Sequence, residues 1–164
     1  MSVKEFNPFL FYSSQLQTLL VKAAKQKNPA LWLYTNDVRT VLFMLEALTR
    51  LHKKSFNESL FDKWNKRFKK LEDLFGEIDQ YIVLEKELKT NKKVTNEVLK
   101  YFTVNSNNCI NKCNQRLSEK EWLNNKLLRF DEKLGGFSVD YNKEYIDELT
   151  ISLTDNKSDK MSDF

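Results

Sequence analysis

Residues 61–82 read FDKWNKRFKKLEDLFGEIDQYI, and their period decides the fold. Phe61, Trp64, Phe68, Leu71, Phe75, Ile78 and Ile82 follow one another at spacings of 3, 4, 3, 4, 3 and 4, the repeat of one face of an α-helix. A half-buried strand would alternate every second residue instead. The spacing therefore predicts one long helix with a narrow aromatic seam, running to about Leu88 and ending in Lys-Thr-Asn-Lys-Lys. Gly76 sits inside this seam, where glycine costs about 1 kcal/mol relative to alanine. Either the helix bends there or a second helix crosses too closely to leave room for a Cβ.

The same period extends outward. Phe9, Tyr12, Leu16, Leu19, Leu20 and Ala23 predict a first helix over residues 9–27, which Asn28-Pro29 closes because the residue before proline is pushed out of the α region. Pro29 opens a second helix, with Leu31, Tyr34, Val38, Leu42, Leu45, Leu48 and Leu51 as its inner stripe. Arg39, Glu46, Arg50 and Lys53 fall on another face, Glu46 and Arg50 as an i, i+4 pair. Ser55 and Asn57 can cap the long helix, and Glu58 complements its positive end.

Beyond it, Val94, Val98, Tyr101, Phe102, Cys109, Ile110, Cys113 and Leu117 continue the helical spacing. Residues 104–108, Val-Asn-Ser-Asn-Asn, are poor helix formers and predict a kink or break. Ser118-Glu119-Lys120-Glu121 fits a capping box opening the next helix, carried by Leu123, Leu127, Phe130 and Leu134 and ended by Gly135-Gly136. A last helix is expected over residues 140–153 with Asp140 as cap, and a disordered polar tail over 154–164. The expected fold class is all-α: an antiparallel helical bundle of about five or six helices, forming a single domain over residues 1–153.

Composition supports this class. The 164 residues contain three Gly and two Pro, where average usage gives roughly 11 and 8; a turn-rich β-sandwich or a glycine phosphate loop is excluded on that ground. With 41% hydrophobic and 30% charged residues, the chain can bury a core beneath a soluble surface. The net charge of +4 is uneven: residues 138–164 hold seven acids against three bases, leaving a basic body.

Cys109 and Cys113, four apart on a helix, are expected as buried small residues, because a zinc site needs about four ligands and the single histidine, His52, is remote. The apolar stretch at residues 9–12 is broken at once by Ser13, Ser14 and Gln15, unlike a secretory signal. No apolar run reaches the roughly 18 residues of a bilayer span. A cytoplasmic protein without membrane association is expected.

The dominant polar feature is the basic run of residues 53–70. Lys53, Lys54, Lys63, Lys66, Arg67, Lys69 and Lys70 face only Glu58 and Asp62, and Lys63, Lys66, Arg67 and Lys70 share the outer arc of the long helix, where dense positive charge attracts phosphates. The alternative is a solvated face whose lysine stems cover the seam. Glu72-Asp73, Glu77 and Asp79 are expected as ion-pair partners rather than catalytic acids, and Glu85 pairs with Lys89 at i, i+4. His52 is expected as a helix-end cap or surface residue.

Asn36-Asp37-Val38-Arg39, continuing into Leu42, Leu45 and Leu48, resembles the His-Asp/Glu-x-Arg helix start of the CHAD (conserved histidine α-helical domain) family. Residues 68–79, FKKLEDLFGEID, resemble that family's second motif, a basic apolar helix reaching Leu-Gly and then Arg-Asp. The resemblance spans residues 15–90. Arg39, Leu45 and Gly76 keep motif positions, whereas Asn36 stands in the histidine position, Phe43, Met44 and Glu46 stand where arginines follow, and Asp79-Gln80 replaces Arg-Asp. The resemblance implies one half of a bundle built from two four-helix halves, whose basic central groove binds polyphosphate and to which Arg39 carries over. Lysines do not reproduce the bidentate phosphate contacts of the missing arginines.

The sequence thus leads to a non-catalytic binding or protein-interaction module, without metal or cofactor, that meets a protein partner or a second copy of itself. The alternative is a polyanion-binding domain for polyphosphate or nucleic acid, using Arg39, Lys53, Lys54, Lys63, Lys66, Arg67 and Lys70.

Overall fold

The computed structural model describes residues 7–54, 57–124 and 127–134, together with Asp147. Pro8–Gly135 forms one compact unit and Met1–Asn7 with Gly136–Phe164 another. All six helices described below belong to the first unit. They are α1 (Pro8–Ala23), α2 (Pro29–Thr35), α3 (Val38–Leu51), α4 (Glu58–Lys89), α5 (Asn96–Glu119) and α6 (Leu128–Leu134). The fold class is all-α, as the periodicity predicts, and among the described residues there is no strand. The closing glycines 135 and 136, the helix expected over 140–153 and the tail 154–164 lie outside the described residues, Asp147 apart.

The long seam becomes α4, a 32-residue helix capped by the Asn57 side chain, which accepts from the Leu60 N–H. Phe61, Trp64, Phe68, Leu71, Phe75 and Ile78 are all buried. α6 docks on the first half of this seam through Phe130, whose ring centroid lies 4.6 Å from Trp64 and 5.5 Å from Phe68. Phe9 of α1 stacks on Phe61 at 5.1 Å. α3 and α5 also pack along α4.

α4 runs through Gly76 without interruption. The Arg39 guanidinium would lie 3.5 Å from an added Cβ, an ordinary van der Waals distance, so the neighbour at this glycine is a side chain that leaves room for a Cβ.

The single helix expected from Pro29 divides in two. Asn36 and Asp37 separate α2 from α3, with Asp37 in the left-handed region at φ 56°, which asparagine and aspartate tolerate better than other side chains. The Asn36 side-chain amide donates to the Trp32 carbonyl at 2.8 Å and closes the end of α2. This break resets the helical phase. Ala30 and Leu33 turn inward in α2, and Val38, Leu42, Leu45 and Leu48 do so in α3, while Leu31 is left exposed. Glu46, expected outward, is buried, with its carbonyl accepting from Asn65 of α4 at 3.0 Å.

The break expected at 104–108 does not form. α5 is continuous there, and its polar side chains bond back to their own helix: Asn105 donates to the Tyr101 carbonyl at 2.8 Å and Ser106 to the Thr103 carbonyl at 3.0 Å. Nor does Ser118 open a helix. It belongs to the last turn of α5, and Glu121 follows at φ 57°. The N–H of Trp122 donates to the Leu117 carbonyl and that of Glu121 to Ser118, both at 3.0 Å, which is a Schellman ending.

Between Ile78 and Ser106 no described residue is buried. Along the far ends of α4 and α5, Val83, Leu84, Val98, Tyr101 and Val104 are exposed.

Candidate anion-binding groove

Two pairs across α4 and α5 mark their antiparallel register. Lys112 Nζ donates to Glu77 Oε2 at 2.8 Å, and Thr103 Oγ1 donates to Glu85 Oε1 at 2.8 Å. The register carries the C-terminal end of α5 to the basic stretch of α4. There Arg67 and Lys70 of α4, Lys112 and Arg116 of α5, and Lys120 just beyond it line one groove of about 520 Å³. Leu71, Leu74 and Trp122 line the same groove and give it an apolar floor.

Each wall follows from helical arithmetic. At 3.6 residues per turn, Lys63, Lys66, Arg67 and Lys70 fall within an arc of about 100°. Lys112, Arg116 and Lys120 recur every fourth residue, which aligns them along one face over about 12 Å. The Arg67 guanidinium lies over the indole of Trp64, 4.6 Å from the ring centroid, and this stacking holds its charge at the groove rim. Lys70 makes no ion pair among the described residues, whereas Lys112 is bound to Glu77 and Arg116 reaches Glu119 at 3.5 Å. The hydrogen bond to Glu77 raises the pKa of Lys112, so it stays fully charged at neutral pH.

The sequence candidates separate into groups. Arg67 and Lys70 are in the groove, and Lys63 and Lys66 are exposed on the same arc of α4. Lys54 is exposed at the end of α3, outside the groove. Lys53 is held between Glu58 at 3.3 Å and Asp62 at 3.0 Å. Arg39 is farther along α4: its guanidinium bridges Glu72 at 2.8 Å and Asp79 at 2.7 Å, and the Tyr34 hydroxyl donates to the other Asp79 oxygen at 2.9 Å. The structure does not bring Arg39 together with the lysines of the groove.

Lys112, Arg116 and Lys120 are the groove residues that sequence reasoning passed over. Their i, i+4, i+8 spacing was a readable signal, but no run of basic residues draws attention to it.

The cysteines and the histidine are wholly or partly buried. Cys113 is buried and burial pushes its thiol up to about 12, while Cys109 is half-buried. His52 is the C-cap residue of α3, but its side chain is fully buried, which corrects the expectation of a surface histidine. Among the described residues no group of three His, Cys, Asp or Glu side chains could hold a metal ion, and no helix is long and apolar enough to cross a membrane.

No family model, curated protein or solved structure matches the chain.

Proposed function

We propose that the helical unit is a non-catalytic binding module whose ligand is a polyanion held in the α4–α5 groove. The observation that carries this reading is the convergence of five cationic side chains from two helices on one concavity. Lys112 pairs with Glu77 and Arg116 with Glu119, while Lys70 makes no ion pair among the described residues. Both carboxylates are about 44% exposed, and exposed ion pairs of this kind are worth little, so an incoming phosphate exchanges with them cheaply. The resemblance to CHAD domains favours the same ligand class, although the groove cations are not those of its motif.

Binding of a labelled polyphosphate chain, followed by anisotropy against salt, tests the reading. With three to five phosphates neutralised, log K should fall against log salt with a slope of about −2 to −4. Lys70→Glu combined with Arg116→Glu should weaken binding at least about tenfold, the effect of about 1.4 kcal/mol. Salt-insensitive binding, or unchanged affinity in the double variant, would overturn it.

A further inference from the structure

The groove is not merely a positive patch, because its cations rim an apolar floor. Leu74 is half-buried, and Leu71 and Trp122 present only the edges left by 2% and 5% exposure. A bare phosphate chain has nothing to place on such a floor. Pressing its hydrated oxyanions against leucine and indole costs desolvation that no hydrogen bond returns. A ligand with a flat aromatic ring and a charged end satisfies both parts, the ring covering the floor and the phosphates reaching the rim.

From this, and resting on the polyanion reading above, we infer that the groove between α4 and α5 takes a nucleoside polyphosphate, with its base on Leu74 and its phosphates on Lys70 and Arg116. The volume of about 520 Å³ is that of a small-molecule site. A single-stranded nucleic acid is disfavoured by the aromatic residues. Successive bases need exposed rings on which to stack, and Trp64 and Trp122 are 2% and 5% exposed, with Arg67 already covering the Trp64 face.

Titration calorimetry of the full chain with ATP, inorganic tripolyphosphate, adenosine and a short oligothymidylate distinguishes the ligands. ATP should bind at least about tenfold more tightly than tripolyphosphate, the base supplying the difference. Leu74→Asn should remove that advantage, and the ratio of the two affinities in one protein serves as its own control for folding. Lys70→Glu with Arg116→Glu should weaken both ligands. Tripolyphosphate binding as tightly as ATP, or oligothymidylate binding more tightly than ATP, would overturn the nucleotide inference and leave the polyanion reading standing. Failure of ATP, tripolyphosphate and oligothymidylate alike to bind would overturn both.

Discussion

His52 has no accessible surface, and its ring lies 5.6 Å from that of Phe9 at the start of α1. Burial pushes its pKa from 6.5 down to about 4, because the imidazolium would lose its hydration there. In the unfolded chain the same group takes up a proton below about pH 6.5. The unfolded state therefore binds more protons than the folded state between those values, and stability falls as the pH drops through that window. From pH 7 to pH 5 this one group should cost about 2 kcal/mol. Urea unfolding at both pH values checks it: His52→Gln, which does not titrate, should show a correspondingly smaller loss, and an identical loss in both proteins would remove His52 as the cause. The burial was not legible in Arg50-Leu51-His52-Lys53-Lys54. Four of those five residues are polar or charged and sit at a helix end, and only packing against α1 turns the ring inward.

At the scale of the element, legibility follows how many residues share in the decision. α4 is readable because six buried side chains repeat one spacing without a slip. The α2–α3 division was hidden because only Asn36 and Asp37 make it, and the apolar stripe on either side looks continuous when their reset of phase is unknown. The end of α5 is hidden for a similar reason. Ser118 and Glu121 match a helix start by themselves, but Trp122 folds back beside Leu117 and closes the helix before it. Glu121 then occupies the position where glycine is usual, at φ 57°. A left-handed non-glycine residue costs about 1–2 kcal/mol, partly offset by the greater unfolded-state freedom of glycine. Glu121→Gly should thus raise stability by about 0.5–1 kcal/mol, read as a higher denaturant midpoint at constant slope. Glu121→Gln, which removes the same charge without relieving the backbone, should leave the midpoint nearly unchanged.

Across the whole molecule, sequence proximity gathers cations that the fold separates. Half of the groove was visible in residues 53–70, and the other half arrives only because the Glu77–Lys112 register brings the end of α5 beside Arg67 and Lys70. The same fold assigns Arg39 and Lys53 to carboxylates on α4. Arg39 and Lys53 are thus committed to joining helices, Lys70 makes no ion pair among the described residues, and Lys112 both joins α5 to α4 and lines the groove. Arg39→Met removes the bridge between α3 and α4 and leaves Glu72, 13% exposed, without its guanidinium, at a cost of about 1–2 kcal/mol after allowance for the solvent that reaches Arg39. Its tripolyphosphate affinity should stay within about twofold of the parent, since no groove contact is lost. Lys70→Glu with Arg116→Glu should do the reverse, weakening tripolyphosphate by about tenfold or more and moving stability by no more than about 0.5 kcal/mol, as surface substitutions do. Measuring denaturant midpoint and affinity on the same two proteins tests the division. If Arg39→Met weakens binding as steeply as the groove pair, the ligand lies across the Arg39 bridge.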